Sequence, residues 1–290
     1  MKNILIQLDT DSHPSSFDRV VAIDAGVEEL FSYGGVTPAN VTGLIHGAMF
    51  TRGSANLKHT AIFVGGSNVT DGETLAQQVQ STFFGPMRVS VMMDSNGCNT
   101  TAAAAVVAAK QHLALAETSA VVLGGTGPVG LRVAELLAAE GSNVLLVSRS
   151  RDRAEAACEQ IRGKMAEGQL TPAGASTTEE LLSVCDGHQL VVAAGAAGVC
   201  FLPGGTLQKL EHLAVAIDLN AVPPTGLADI AATDKAVEKH GTLCYGALGV
   251  GGTKMKVHKQ AIASLFEAND RVLDTQQIYQ LALHVAAQSS

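Results

Sequence analysis

A glycine-rich loop near the middle of the chain constrains the fold more than any other feature. The loop Gly125-Thr126-Gly127-Pro128-Val129-Gly130 directly follows the apolar run Val121–Leu123. It opens Val129–Ala139, whose apolar residues recur at helical spacing, and Asn143–Val147 is the next apolar run. A strand, a glycine loop, a helix and a second strand in this order form a βαβ unit that seats a dinucleotide pyrophosphate at the helix N-terminus. The motif therefore predicts a Rossmann-type parallel sheet.

Each loop residue has a distinct task in such a unit. Gly125 permits a tight turn, Gly127 lets the backbone approach the pyrophosphate, and Gly130 lets helix and strand pack closely. The start of the helix supplies free N–H groups and partial positive charge. The first predicted cofactor-binding set is Gly125, Thr126, Gly127, Pro128, Val129 and Gly130.

The residues after the second strand predict which dinucleotide is bound. An NAD enzyme usually has an acidic residue there for the ribose 2′-hydroxyl, whereas this chain has Ser148-Arg149-Ser150-Arg151. Arg149 and Arg151 can supply guanidinium donors and Ser148 a hydroxyl to a 2′-phosphate, which favours NADP, with NAD weaker. Two solvated surface arginines are the alternative interpretation. Arg153 is assigned to the helix surface.

Later strands of the same sheet are predicted at Leu190–Ala194 and Val215–Leu219. Their ends place Gly195, Ala196 and Asn220 beside the ribose and nicotinamide, although ordinary turns would use the same residue types. The stretch Gly246–Gly252 is interpreted as a backbone that approaches a flat ring.

The first hundred residues form a second α/β domain in this interpretation. Apolar runs and candidate helices alternate at Ile4–Leu8, Val20–Ala22, the segment after Pro38, Thr60–Val64, Glu73–Phe83 and Arg88–Met92. A helix beginning at Asn99 or Thr100 leads into the nucleotide domain, and two helices at Val257–Ala268 and Thr275–Ala287 return to the first. The predicted fold is two α/β domains with an interdomain cleft, comprising residues 1–100 with 254–290 and residues 101–253.

Composition excludes several classes of function. The net charge of −8 and the 4% aromatic content argue against nucleic-acid binding. No apolar run has the length of a membrane span or a signal peptide. The five cysteines show neither metal-binding spacing nor an even count, so we expect reduced thiols, no metal site and a cytoplasmic protein.

The residue pattern contains no obvious catalytic machinery, which suits a hydride transfer. There is no Tyr-x-x-x-Lys pair and no serine-nucleophile elbow. Positioning a donor carbon against a nicotinamide ring supplies much of such catalysis. Lys254 and Lys256 could orient a substrate, although lysines near a helix start are usually surface residues. Asp11 and Asp94 follow predicted strands, where short carboxylates also cap helices.

The chain resembles the bacterial NAD(P)-dependent methylene-tetrahydromethanopterin dehydrogenases over nearly its whole length, and is also related to methylene-tetrahydrofolate dehydrogenases. The resemblance rests on Leu8-Asp9-Thr10-Asp11, Val36-Thr37-Pro38, Thr51-Arg52-Gly53, Ile62-Phe63-Val64-Gly65-Gly66, Asp94-Ser95-Asn96-Gly97, Asn220-Ala221, Gly246-Ala247-Leu248-Gly249, and Lys254 and Lys256 before Ser264-Leu265-Phe266-Glu267. The sequence Ser148-Arg149-Ser150-Arg151 differs from the one found at this position in the best-known members of the family.

The resemblance implies an oxidoreductase of one-carbon metabolism. The implied reaction is reversible hydride transfer from N5,N10-methylene-tetrahydromethanopterin to NADP+, which leaves a methenyl cation. The resemblance makes Lys256 the first candidate for an active-site residue and Lys254 the second. It also implies pterin contacts at Asp11, Arg52 and Asp94, and a homo-oligomer, a trimer or a hexamer.

Two alternatives remain open. A methylene-tetrahydrofolate dehydrogenase, with or without cyclohydrolase activity, would use the same two-domain frame. A non-catalytic NADP sensor would bind the cofactor without turnover.

Overall fold

The computed structural model describes residues 1–164 and 168–288. Two compact units divide them: residues 1–100 with 255–290 form unit 1, and residues 101–254 form unit 2. Two long helices carry the chain across the boundaries at residues 100 and 254.

Strands and helices alternate through both units. The strands are β1 (Ile4–Asp9), β2 (Glu29–Tyr33), β3 (Thr60–Gly65), β4 (Ser90–Met93), β5 (Ser119–Leu123), β6 (Asn143–Ser148), β7 (Gln169–Gly174), β8 (Leu190–Ala193), β9 (Val215–Asp218), β10 (Lys235–Lys239), β11 (Thr242–Tyr245) and β12 (Val272–Leu273). The helices are α1 (Ser16–Asp24), α2 (Thr42–Phe50), α3 (Val69–Thr82), α4 (Cys98–Lys110), α5 (Pro128–Ala139), α6 (Arg151–Arg162), α7 (Thr178–Cys185), α8 (Ala247–Ser264) and α9 (Thr275–Ala287).

Unit 1 is built on a parallel five-stranded sheet in the order β12-β4-β3-β1-β2. Strand β3 is buried along its whole length, as expected for a central strand covered on both faces. The strand order reverses between β1 and β3, where Asp9 pairs with Gly65 at the carboxyl ends. Ligands of open α/β sheets collect at such a reversal, so this edge is the candidate binding edge of unit 1.

The structure settles two segments of unit 1 that the sequence left undefined. Val20–Ala22 lies inside helix α1. The side chain of Ser15 accepts a hydrogen bond from the Asp18 N–H at 3.2 Å and thereby caps this helix. Strand β2 was not predicted, because its residues are half-buried or exposed at an edge of the sheet and show no continuous apolar run.

Unit 2 is built on a seven-stranded sheet in the order β10-β11-β9-β8-β5-β6-β7. All pairs are parallel except β10 with β11, which form an antiparallel edge. The six parallel strands have the dinucleotide-binding order, with β5 and β8 on either side of the reversal. The prediction of two α/β domains, the second of Rossmann type, is confirmed.

The apolar sequence of β5 explains its central place. Val121, Val122 and Leu123 are fully buried, and Leu136 and Leu137 of α5 are buried with them. Burial of each such side chain stabilises the fold by roughly 1.5–3 kcal/mol. Among residues 1–164 and 168–288, no helix combines the length and apolar character needed to cross a bilayer.

Candidate functional site

The glycine loop closes tightly between β5 and α5. Gly124 has φ +73°, so the turn uses a conformation that favours glycine one residue before the predicted motif begins. Gly127 is the N-cap of α5 and Pro128 its first residue. A Cβ at Gly130 would stand 2.5 Å from the carbonyl oxygen of Gly124, so any side chain there would force the loop away from the helix.

The loop forms one wall of a pocket of about 280 Å³ in unit 2. Six predicted cofactor residues line it: Thr126, Gly127, Ser148, Arg149, Gly195 and Ala196. The remaining motif residues, Gly125, Pro128, Val129 and Gly130, are not among the lining residues. A Cβ at Gly125 would stand 2.6 Å from Cγ of Leu146, so Gly125 is required for packing against β6.

The structure separates the three arginines that follow β6. Arg153 lines the pocket together with Arg149, whereas Arg151 does not. Arg151 is the first residue of α6, and its backbone and Cβ lie against Gly174 of β7. Arg153 was assigned to the helix surface from the sequence; its place two residues into α6 instead brings it to the pocket. The pocket therefore presents two guanidinium groups from separate elements.

The side chain of Asn220 forms its hydrogen bonds within the loop that follows β9. Its Oδ1 accepts from the Val222 N–H at 3.0 Å, and its Nδ2 donates to the Pro224 carbonyl at 3.1 Å. Asp218 is buried and accepts from the N–H groups of Asn220 and Leu227. Burial raises the pKa of this carboxyl, and the backbone donors oppose the shift. Asn220 thus shapes the loop and is not among the pocket-lining residues, contrary to expectation.

Several pocket residues had not been predicted. Gly124, Ser176 and Phe201 line it together with Arg153. The tandem glycine that follows β5 was a sequence signal for Gly124. Phe201 approaches Gly195 so closely that a Cβ there would lie 2.5 Å from its ring. No sequence pattern indicates Ser176 or Phe201, because both reach the pocket through loops distant from the glycine motif.

The candidate binding edge of unit 1 carries a pair of polar side chains. Asp11 accepts hydrogen bonds from the Ser67 N–H at 3.0 Å and from the Ser67 hydroxyl at 2.9 Å. Asp9 is buried and accepts from the N–H groups of Asp11 and Ser15. The loop after β1 is therefore fixed by Asp9, and the partly exposed Asp11 carboxylate is held beside the end of β3.

Asp94 is positioned as a helix cap. Its side chain is buried, and its Oδ1 accepts from the N–H groups of Asn99 and Thr100 at 2.8 and 3.1 Å. Its Oδ2 accepts from the Thr100 hydroxyl at 2.6 Å. These bonds satisfy free donors at the start of α4. This placement does not suit the pterin contact expected for Asp94.

Arg52 lies near the amino ends of the strands of unit 1, whereas Asp11 lies near their carboxyl ends. Its guanidinium donates to the carbonyl of His59, the residue that precedes β3. Arg52 therefore stands at the amino end of β3, where it lines a separate pocket with Phe31 and Tyr33 of β2. The structure does not bring together Arg52 and Asp11, which had been expected to contact one ligand.

Helix α8 separates the two candidate lysines. A helix turns by about 100° per residue, so positions two apart face nearly opposite sides. Lys254 is partly buried and shares a face with the buried residues Val250 and His258. His258 stacks on Phe63 of β3 at a centroid distance of 5.7 Å. Lys256 is exposed on the other side, in a shallow basin with Asp24, whose carboxylate pairs with Lys259 at 3.2 Å.

The stretch Gly246–Gly252 is helical from Ala247 onward rather than an open loop. A Cβ at Gly246 would stand 2.1 Å from the carbonyl oxygen of Ala231, and one at Gly249 would stand 1.8 Å from that of Asp234. These glycines are therefore explained by close packing of the helix start against residues 231–234. The expected approach to a flat ring is not needed to account for them.

Comparisons with known proteins agree with the geometry. Residues 16–96 match the family described as methylene-tetrahydromethanopterin dehydrogenase, N-terminal. The bifunctional protein MdtA of Methylorubrum extorquens is 44% identical over 287 residues, which cover 98% of this chain and 99% of that protein. The NAD(P)-dependent methylenetetrahydromethanopterin dehydrogenase of the same organism is 30% identical, with 98% and 99% covered.

The fold also resembles solved dehydrogenase structures. Shikimate 5-dehydrogenase of Listeria monocytogenes, solved with shikimate and NAD, aligns with a TM-score of 0.55 at 14% identity, covering 97% of this chain and 96% of that one. At this identity the likeness concerns the fold alone. The two full-length relatives decide the family: the chain belongs to the methylene-tetrahydromethanopterin dehydrogenases.

Proposed function

We propose that the protein oxidises N5,N10-methylene-tetrahydromethanopterin to the methenyl cation, with NADP+ as the hydride acceptor, in a reversible reaction of one-carbon metabolism. The observation that carries this proposal is full-length membership of the family, together with a glycine loop in which Gly125 and Gly130 have no space for a side chain. When bound, the nicotinamide supplies the position that accepts the hydride.

The residues of unit 2 fit a dinucleotide phosphate. The first N–H groups of α5 have no acceptor inside the helix, and the helix start carries partial positive charge. Arg149 and Arg153 add two guanidinium groups to the same pocket, and Ser148 lines it between them and the glycine loop. We assign the 2′-phosphate to these arginines, because a planar guanidinium binds phosphate with two parallel hydrogen bonds.

Unit 1 is the proposed pterin-binding unit. Asp11 is its first candidate, since its carboxylate is fixed by Ser67 yet partly exposed at the strand reversal. A carboxylate oxygen that accepts one hydrogen bond retains capacity for another from the ligand. Asp94 is assigned to capping α4. Arg52 lies at the amino ends of the strands, away from Asp11.

For the active-site lysine, the helix geometry favours Lys254 over Lys256. The product is a cation, so a lysine acts by orienting the pterin rather than by stabilising the charge that develops. We expect Lys254→Ala to lower kcat by about tenfold or more while NADP+ affinity is retained. Lys256→Ala is the matched control and should leave kcat within about twofold. A loss of kcat in Lys256→Ala but not in Lys254→Ala would identify Lys256 as the active-site lysine.

One assay tests the function. The purified protein is mixed with NADP+ and methylene-tetrahydromethanopterin, and NADPH and the methenyl chromophore are followed together. We expect both to appear in equal amounts. The same assay with methylene-tetrahydrofolate separates the folate alternative, and loss of the methenyl signal faster than the spontaneous rate would reveal cyclohydrolase activity. Cofactor binding without turnover of either pterin would support the sensor instead.

We also propose a homo-oligomer, a trimer or a hexamer. Edge strand β2 exposes Phe31 and Tyr33, and the apolar helix α2 exposes Phe50. Large exposed aromatic side chains on neighbouring elements are typical of subunit interfaces. Light scattering on the purified protein should give three or six times the chain mass, and a monomer would contradict the proposal.

A further inference from the structure

Asn96 is an exposed side chain in an otherwise covered segment. From Val89 to Thr100 every residue is buried except Asn96, which is exposed, and Gly97, which is half-buried. The segment includes β4 and the start of α4, so Asn96 stands at the carboxyl end of a central strand. Among the residues the structure describes, none forms a hydrogen bond with its side-chain amide.

The backbone that carries Asn96 is held from both sides. Its φ of 53° lies in the left-handed region, which costs free energy for a residue with a side chain, although asparagine tolerates it better than most. The Asn96 N–H donates to the Gly66 carbonyl at 2.7 Å. Next to it Ser95 is fully buried, with its Oγ occupying the space that a side chain at Gly72 would need. The amide is therefore presented from a fixed position.

Asn96 belongs to the same edge as the Asp11–Ser67 pair. Gly66, which accepts its N–H, directly precedes Ser67, and Ser67 donates twice to Asp11. These residues follow β4, β3 and β1, which are neighbours in the sheet. A carboxylate and an amide are thus aligned along the strand ends of unit 1.

Pterin chemistry matches this pair. The pyrimidine edge of a pterin offers two adjacent N–H donors, at N3 and the 2-amino group, beside a 4-oxo acceptor. A carboxylate accepts from both donors, and an amide Nδ2–H donates to the oxo group. We propose that Asn96 is a substrate-binding residue that donates its side-chain N–H to the 4-oxo group while Asp11 accepts from the pyrimidine donors. This inference rests on the proposed function.

Two substitutions test the amide separately from the backbone. Asn96→Gly keeps the left-handed conformation without strain and removes the amide, and Asn96→Asp keeps the shape but replaces the donor with oxygen. We expect both to raise KM for methylene-tetrahydromethanopterin by about fivefold or more, as for one lost hydrogen bond. KM for NADP+ and the thermal midpoint should stay at wild-type values, since neither depends on the amide.

His240→Gly is the matched control, because His240 is also exposed with φ 53° but lies in the β10–β11 turn of unit 2. It should leave both KM values unchanged. A pterin KM within twofold of wild type in Asn96→Gly, or in Asn96→Asp, overturns the inference while leaving the proposed function intact. A wild-type protein that does not turn over the pterin overturns the proposed function, and this inference with it.

Discussion

At the scale of single residues, the proposed preference for NADP over NAD rests on the positions of two guanidinium groups. Three arginines lie within five positions of one another, at 149, 151 and 153. Arg149 and Arg153 line the pocket beside the glycine loop, whereas Arg151 does not; its backbone and Cβ lie against Gly174 of β7. The sequence predicted Arg149 and Arg151 as the phosphate-binding pair, and the structure brings Arg149 and Arg153 to one pocket.

We predict that Arg153→Ala raises KM for NADP+ by about tenfold or more and leaves KM for NAD+ nearly unchanged. A charge-assisted hydrogen bond to phosphate contributes about 1.5–3 kcal/mol, and NAD lacks the phosphate. Steady-state kinetics with both cofactors measures the ratio. Arg149→Ala should behave in the same way.

Arg151→Ala supplies the control for this prediction. It removes the same charge from the same helix, two residues from Arg153, so a general loss of positive potential would affect both variants. We expect less than a twofold change in KM for NADP+. Equal losses in Arg151→Ala and Arg153→Ala would show that the helix start acts through its net charge and not through a specific contact.

At the scale of elements, α4 depends on a cap contributed by the loop before it. The buried Asp94 carboxylate accepts two backbone N–H groups and one hydroxyl from the first residues of the helix. The sequence placed Asp94 correctly at the end of a strand and left open whether it caps a helix or contacts a ligand. Burial favours the cap.

Asp94→Ala should therefore destabilise the protein by about 2 kcal/mol, since the buried donors of α4 lose their acceptor. Thermal unfolding followed by circular dichroism measures the change. Asp274→Ala is the comparison: Asp274 caps α9 through the Gln276 N–H but is exposed, so water can replace it and the loss should be smaller. If Asp94→Ala left the thermal midpoint unchanged and raised KM for the pterin, Asp94 would be a pterin contact and not a helix cap.

At the scale of the whole molecule, the five cysteines report on the fold. All are free, and all but Cys200 are buried. Burial raises the pKa of Cys185 to about 12 and that of Cys244 to about 11, so both remain protonated thiols at ordinary pH. Cys200 lines the pocket beside the glycine loop.

We predict that Ellman's reagent modifies one thiol rapidly in the native protein and the other four only on unfolding. NADP+ should slow the rapid reaction, because Cys200 lines the pocket to which we assign the dinucleotide. Cys200→Ser should abolish the rapid phase. Rapid reaction of two or more thiols would mean that the core opens more readily than its burial indicates.

The βαβ unit around the glycine loop was predictable from the sequence because its signals are local. Apolar run, glycines and helical spacing lie within thirty or so neighbouring residues, and each has one physical reason. The edge strands β2, β7, β10 and β12 were not predicted, and neither was β11 beside β10; β2, β7 and β10 are partly or largely exposed. Such strands take their conformation from pairing with a neighbour, which local pattern does not record.

The chain by itself determined the two α/β domains, the glycine loop between β5 and α5, and the family, since these follow from patterns carried by adjacent residues. Tertiary structure decided which arginines share the pocket, which side of α8 each lysine faces, and that Arg52 and Asp11 lie at opposite ends of the strands of unit 1. Those outcomes depend on contacts between residues far apart in sequence. The partner of a side chain is set by the face of the helix, or the end of the strand, on which the side chain lies.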